Sequence, residues 1–478
     1  MSAWLIAHPE FAEKLFQIIT PEDRPAKVLA CLDSLRAAWG QRILQHGDLP
    51  LAFAVVWDSF APKRCDLRSS YAYYAANPKR FILDFRKLPC YLLKFVVDSP
   101  TSIAEREWAL HTYGIRSDIG KVFFDVPYDT WSLKGYRKKI RDVPYTLPNL
   151  VEYGGVCVDQ AYFAANVAKS LGVPAAVVCG VGERGGHAWV GYVQWDGKRF
   201  VWNLNTGRYS SDHYYEGQTH DPQTGKRLTD HTLALDSISA NLDWARVSDA
   251  QNYLELSKRM LDAGENDRAA RLLDLALKRN PYDRLVWEEA AVLCQRGVIN
   301  KKRADELLQF VLKGFPEYPD FSLDIFRKLI ELVPEKDVKK RTALYDAAFN
   351  IYQFRPDLAV QLRTAQGDYL AKHGRRDMRY AAYCDAITRY LEHGRLVAEL
   401  TRKVVGMKLE DGDPRSALNL ILSVLPYCKE PSYEDPFAGA SAYYRLKKDM
   451  AKVYRFLGNE KAALQIEAEL RRFVYAKH

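Results

Sequence analysis

The segment between residues 157 and 205 constrains the fold most, because two different hydrophobic periods follow one another within it. From Cys157 to Leu171 apolar residues recur at every third or fourth position, which predicts an amphipathic helix. The nearly continuous apolar run Ala175–Val181 predicts a buried strand. His187–Trp195 and Arg199–Asn205 are further strand candidates, joined by an Asp-Gly turn that is typical of a hairpin. A helix followed by three strands indicates an α+β domain.

The rest of the chain is helical in pattern. Residues 1–145 show interrupted amphipathic runs without a reactive motif, and residues 246–478 are helical throughout. The unit Gln251–Arg284 carries small residues in both of its predicted helices, a glycine between them and a proline near its end. It resembles a tetratricopeptide repeat, which implies helical pairs stacked into a solenoid that can hold a protein partner. We therefore expect an α+β chain of three segments, with a helical N-terminal domain at 1–145, a core domain at 146–245 and an all-α repeat domain at 246–478.

The charge balance argues against nucleic acid as a partner. The 478 residues include 69 basic and 60 acidic side chains, for a formal net charge of +9. The densest basic cluster, Lys134–Arg141, stands alone, whereas a nucleic-acid surface needs several such clusters on one face. We interpret it as a solvated face, with an acidic partner surface as the alternative.

Neither a membrane span nor an export signal is predicted. No apolar run approaches the roughly 18 residues that a spanning helix needs. The N-terminal residues Met1–Phe16 have neither a basic start nor a long apolar stretch, so they do not form a signal peptide. The chain as given therefore predicts a cytoplasmic location, unless an export signal precedes it.

The cysteine and histidine spacings favour neither a disulfide framework nor a metal site. The eight cysteines are scattered and include no Cys-x-x-Cys pair. Cys179, Cys294 and Cys384 lie in apolar surroundings and are predicted to be buried thiols. Several histidines occupy or adjoin the polar segment Thr206–Asp230 without tight ligand spacing, so we expect a solvated loop there, no metal and no cofactor.

Cys157 and His187 are the candidate reactive pair. A cysteine in the first turn of a helix faces the positive end of the helix dipole, which favours the nucleophilic thiolate. The preceding Gly154 and Gly155 permit an unusual turn and the close approach of a substrate backbone. His187 stands at the start of a predicted strand, which is a rigid mount for a general base.

A third polar residue and an oxyanion site complete the predicted constellation. Asn203, near the end of the last strand, is the candidate that orients His187, with Asn205 on the same strand face as the second choice. The backbone N–H of Cys157 is one predicted oxyanion donor. Trp131, Tyr153 and Gln160 are candidates for the second donor, and the residues do not decide among them. Asp159 is expected to organise the helix start.

Three linked motifs resemble the transglutaminase-like superfamily. They are Gly155-Val156-Cys157-Val158-Asp159-Gln160-Ala161, then Leu171-Gly172-Val173-Pro174-Ala175, then His187-Ala188-Trp189-Val190. The resemblance implies a papain-like α+β core with a catalytic cysteine and histidine and no metal in the chemistry. The aspartate that the family carries as its third residue falls on Asn203 here.

Together the motifs and residue types imply a thiol enzyme that acts on amide bonds of a peptide or protein substrate through an acyl-enzyme. Because water is far more abundant than any amine, they favour hydrolysis, as in a protease or amidase, over cross-linking. The alternative is a catalytically weak transglutaminase-like module that serves, with its repeat segment, as a protein-interaction scaffold. Asn203 in place of a charged residue motivates this alternative.

Overall fold

A computed structural model describes residues 1–59, 64–114, 118–133, 136–182, 185–209, 213–315, 317–432 and 438–475. The chain divides into two compact units, Met1–Ile299 and Asn300–His478. The first unit includes the predicted segments 1–145 and 146–245, together with the start of the predicted repeat segment. It holds both Cys157 and His187.

The first unit begins with short helices that are interrupted by 3-10 turns. They are α1 (Ser2–Ile6), α2 (Pro9–Ile18), α3 (Pro25–Trp39), α4 (Leu49–Val56), α5 (Leu67–Ala76), α6 (Cys90–Val97), α7 (Ile103–Tyr113), α8 (Thr130–Leu133), α9 (Leu147–Tyr153) and α10 (Cys157–Ser170). After the sheet follow α11 (Asp230–Ala240), α12 (Trp244–Asp262), α13 (Asn266–Arg279) and α14 (Arg284–Gln295). Helix α10 starts and ends within one residue of the helix that its periodicity predicts.

The described residues contain one antiparallel sheet of five strands in the order β3-β2-β1-β4-β5. Its strands are β1 (Ala175–Gly182), β2 (Gly185–Trp195), β3 (Phe200–Thr206), β4 (Gln218–His220) and β5 (Arg227–Thr229). The first three match the predicted strands. The last two lie within Thr206–Asp230, where only a loop is predicted, because three-residue strands are too short to show an alternating pattern.

Helix α10 packs against β1 and β2 and is buried along most of its length. Phe163 of this helix and Trp189 of β2 are both fully buried, which fixes the helix on the sheet. The same hydrophobic core runs from Leu5 to Tyr214, so the N-terminal helices and the sheet share one interior. This shared core holds the start of α10 in place relative to β2.

The described residues of the second unit form α-helices joined by turns and short 3-10 segments. They are α15 (Lys301–Gly314), α16 (Pro319–Ile330), α17 (Val338–Ile351), α18 (Pro356–Lys372), α19 (Arg376–Arg389), α20 (Gly394–Glu410), α21 (Pro414–Val424), α22 (Ala442–Phe456) and α23 (Glu460–Tyr475). Neighbouring helices pair, for example α18 with α19 and α22 with α23. In the first unit α12 and α13 pair likewise, across a turn in which Gly264 has φ +78°.

The observed architecture agrees with an α+β class that has a large helical part. No helix among the described residues is long and apolar enough to cross a membrane. One burial prediction is wrong: Cys179 is exposed on β1, because alternate side chains of a strand face opposite sides and its side does not carry a full cover. Cys294 is buried as predicted, and Cys384 is half-buried.

Candidate active site

The tight connection between α9 and α10 places Cys157 at the first position of α10. Gly154 ends α9 with φ +77°, a backbone conformation that favours glycine. A Cβ on Gly154 would lie 2.5 Å from the carbonyl oxygen of Pro127, so the chain passes too close here for any side chain. Gly154 therefore allows the approach of segment 127–129 to the base of the helix, and Gly155 leaves room for the side chain of Asp159.

Asp159 organises this helix start. Its carboxylate accepts hydrogen bonds from the backbone N–H of Val156 at 2.8 Å, from the Tyr145 hydroxyl at 2.9 Å and from Lys138 Nζ at 2.7 Å. The Asp159 residue is only 3% exposed, so these donors replace the water that its charge would otherwise bind. A negative charge in the first turn also matches the helix dipole.

His187 lies on β2 with its ring oriented by a backbone carbonyl. Its Nε2 is 2.7 Å from the carbonyl oxygen of Gly207. Because a carbonyl oxygen only accepts hydrogen bonds, Nε2 carries a hydrogen and Nδ1 is the nitrogen that can exchange a proton. The ring stacks on Tyr209 at a centroid distance of 4.8 Å and lies 5.4 Å from Tyr214 and 6.0 Å from Trp189. These ring contacts restrict the orientation of the imidazole plane.

Arg208 anchors the turn that carries the Gly207 carbonyl. The Arg208 guanidinium donates to Asp230 at 2.6 Å and, through Nε, to the backbone carbonyl of Tyr214 at 2.8 Å. Asp230 is 2% exposed, which makes this ion pair a buried one. Gly207 itself has φ +81°, and a Cβ there would lie 2.8 Å from the ring of Phe123. The contacts of Arg208 and the ring of Phe123 thus hold this turn in place.

The environment of Cys157 stabilises its thiolate. Burial raises the pKa of the thiol, but hydrogen bonds from the His187 side chain and from the Ala188 backbone N–H, together with the charge of His187, outweigh burial. The pKa of Cys157 therefore lies below that of an ordinary thiol. Cys179 shows the opposite behaviour, because partial desolvation of its sulfur and the neighbouring Cys157 raise its pKa.

The structure does not bring Asn203 to His187. Asn203 is paired with Tyr192 in the β2–β3 register, five residues from His187 along β2, or about 17 Å away. Its side-chain amide donates to the Tyr192 hydroxyl at 3.1 Å, and its side-chain oxygen accepts from the Asn205 backbone N–H. Asn205 is exposed. The acceptor that orients His187 is the carbonyl of Gly207, in place of the predicted asparagine side chain.

The three candidates for the second oxyanion donor make their described contacts elsewhere. Gln160 is buried and donates to the carbonyl of Val126 at 2.9 Å. Trp131 is 54% exposed and packs edge-on against Tyr136. The hydroxyl of Tyr153 interacts with the side chain of Glu152.

Tyr128 is the residue that contacts the predicted oxyanion site. Segment 127–129 pairs with Gly155, since the backbone N–H of Asp129 donates a hydrogen bond to the carbonyl oxygen of Gly155 at 2.8 Å. This pairing brings the Tyr128 hydroxyl to the backbone N–H of Cys157, from which it accepts a hydrogen bond. Desolvation and the nearby Cys157 thiol raise the pKa of Tyr128, so its hydroxyl stays protonated at neutral pH.

Neither Gly207 nor Tyr128 is identified by the sequence analysis. Gly207 acts through its backbone, which every residue possesses, and its only signal is that a glycine follows a strand. Tyr128 lies outside the three motifs and carries no signal of its own. Among the described residues, no group of three or more His, Cys, Asp or Glu side chains is arranged to hold a metal ion.

No protein-family model matches the chain, and no curated protein matches it. Among solved structures it is similar to BtubC (BKLC) from P. vanneervenii, at 14% identity and a TM-score of 0.28, over 48% of this chain and 91% of that chain. It is also similar to PilW, a widely conserved type IV pilus biogenesis factor, at 15% identity and a TM-score of 0.25, over 49% of this chain and 97% of that chain.

Proposed function

We propose that the protein is a transglutaminase-like thiol enzyme that acts on amide bonds of a peptide or protein substrate. Cys157 is the nucleophile, His187 is the general base and acid, and the Gly207 carbonyl fixes the tautomer of His187. The observation that carries the proposal is the hydrogen bond between His187 and Cys157 at the start of α10, which lowers the pKa of the thiol. Tyr209 and Trp189 keep the imidazole in position for the proton transfers.

The proposed reaction has two steps, formation of an acyl-enzyme and its hydrolysis. The Cys157 thiolate attacks the substrate carbonyl carbon and forms a C–S bond, and the C–N bond of the resulting tetrahedral intermediate then breaks. His187 donates its Nδ1 proton to the leaving amine. Water next attacks the thioester while His187 Nδ1 takes a proton from it, which releases a carboxylate and restores the thiolate. Hydrolysis is the proposed outcome, because water is the acceptor present at the highest concentration.

A second candidate function is a catalytically weak module that serves as a protein-interaction scaffold. The specific observation that favours it is the Gly207 carbonyl, which carries only a partial charge and stabilises an imidazolium less than a carboxylate does. The helical pairs of the chain would then supply the surface that binds a protein partner.

Alkylation with iodoacetamide separates the two candidates. At pH 7 we expect Cys157 to react at least about tenfold faster than Cys179, because its thiolate is stabilised while that of Cys179 is not. As the pH falls below 9, the reactivity of Cys179 should disappear first and that of Cys157 should persist. Peptide mapping by mass spectrometry after timed quenching measures both rates in one sample.

The His187→Ala variant is the matched test of the pair. It should slow alkylation of Cys157 and leave the rate at Cys179 unchanged, since only Cys157 loses a hydrogen-bonding partner. Equal and slow labelling of both cysteines in the unaltered protein would contradict the enzyme and favour the scaffold.

Tyr128→Phe tests the oxyanion site. In the resting protein the Tyr128 hydroxyl accepts the hydrogen bond of the Cys157 backbone N–H, so a substrate oxygen must displace this hydroxyl to bind there. The variant should form the acyl-enzyme from 4-nitrophenyl acetate several-fold faster, as measured by the burst of 4-nitrophenol. A slower burst with unchanged alkylation by iodoacetamide would show instead that the phenol donates to the oxyanion.

A further inference from the structure

The basic cluster of the sequence lines a cavity beside the start of α10. This cavity has a volume of about 660 Å³, and Tyr136, Arg137, Lys138, Arg141, Tyr145 and Asp159 contribute to its wall. Lys134 of the cluster lies outside the described residues. The exposed cluster therefore forms one side of a concave surface.

The cavity has a surplus of positive charge. Of its three cations, Lys138 is paired with buried Asp159, and Arg137 forms an ion pair with Asp142 in which both side chains are more than half exposed. Water screens such an exposed pair, so Arg137 can exchange partners readily. Arg141 is exposed, and no carboxylate among the described residues pairs with it. Arginine is well suited to bind a carboxylate through two parallel hydrogen bonds.

Asp159 links the cavity to the backbone that precedes the reactive cysteine. The same oxygen of Asp159 accepts hydrogen bonds from Lys138 at 2.7 Å and from the Val156 backbone N–H at 2.8 Å. The Asp159 carboxylate thus bridges Lys138 and Val156, the residue that precedes Cys157. The cavity therefore adjoins the turn that leads into Cys157.

We propose that this cavity binds a carboxylate of an acidic peptide substrate and so places the adjoining amide at Cys157. The inference rests on the proposed function of Cys157 and names its substrate class. The two tyrosines provide apolar ring faces beside the arginines, which suits the methylene groups of an acidic side chain as well as its charge. The single, small cluster fits one or two carboxylates and not the extended phosphate backbone of a nucleic acid.

The test compares the alkylation of Cys157 by iodoacetate, which is an anion, with that by neutral iodoacetamide. The ratio of the two rates measures the local potential independently of the reactivity of the thiol. The double variant Arg137→Glu/Arg141→Glu should lower this ratio about fivefold at low salt, and added salt should reduce the difference. Both arginines are exposed, so circular dichroism should show an unaltered fold.

The matched control is Lys198→Glu/Arg199→Glu in the turn between β2 and β3. It makes the same change of net charge, but this turn adjoins Trp195, which lies about 26 Å along β2 from His187. Its iodoacetate to iodoacetamide ratio should equal that of the unaltered protein. An equal ratio in all three proteins would overturn the cavity proposal while leaving the thiol chemistry intact.

A second readout does not depend on the thiol. A fluorescein-labelled tetraglutamate peptide should bind to the Cys157→Ser protein and lose affinity in the added background of Arg137→Glu/Arg141→Glu, as followed by fluorescence anisotropy. Binding of this kind together with an unreactive Cys157 would contradict the proposed enzyme and support the cavity. Equal binding by both proteins would overturn the cavity proposal.

Discussion

Gly207→Ala should slow acylation of Cys157 by about 100-fold or more, because it displaces the acceptor that orients His187. Alanine at φ +81° is strained, and its Cβ would lie 2.8 Å from the ring of Phe123. The backbone or the ring must therefore move, and a carbonyl shift of about 1 Å suffices to break a 2.7 Å hydrogen bond. The burst of 4-nitrophenol from 4-nitrophenyl acetate measures the acylation rate.

Gly225→Ala is the control for backbone strain. Gly225 has φ +69° in the turn between β4 and β5, and a Cβ there meets no atom within 4 Å. This variant should lose a similar amount of stability from strain but keep its acylation rate. If Gly207→Ala also acylates at the normal rate, the Gly207 carbonyl does not position His187, and another group must orient the ring.

Asp159→Ala should destabilise the first unit by about 1–3 kcal/mol, because the backbone N–H of Val156 loses its acceptor at the helix start, whereas Lys138 is 37% exposed and can be hydrated. The substitution leaves Lys138, Tyr145 and the Val156 N–H without their shared acceptor inside the protein. Urea unfolding followed by tryptophan fluorescence is the measurement. All 10 tryptophans lie before residue 300, so the signal reports on the first unit alone.

Asp142→Ala provides the comparison for this prediction. Asp142 also pairs with an arginine of the same segment, but its side chain is 64% exposed, so its removal should change the unfolding free energy by less than about 1 kcal/mol. Asp159→Ala should in addition slow alkylation of Cys157, because the helix start is no longer held. A loss as small as that of Asp142→Ala would show that Asp159 does not organise this turn.

Local sequence patterns predicted the elements that carry the reactive pair. Hydrophobic periodicity located α10 and the strands β1, β2 and β3 to within about two residues, because each element buries one continuous set of side chains. The glycine pair before Cys157 correctly indicated a special turn, since positive φ is a local property. The three-residue strands β4 and β5 escaped prediction because they are too short to show an alternating pattern; β4 pairs with β1, and β5 pairs with β4.

The sequence by itself determined the α+β class with its large helical part, and it identified Cys157 and His187 as the residues to examine. The tertiary structure decided which groups surround them: Gly207 in place of Asn203 at the imidazole, Tyr128 at the Cys157 N–H, and the arginines beside the helix start. Periodicity depends on neighbours along the chain, whereas these contacts depend on the β2–β3 register and on loops brought together by a shared core. A backbone carbonyl also leaves no mark in the identity of its residue, so only the fold could reveal its role.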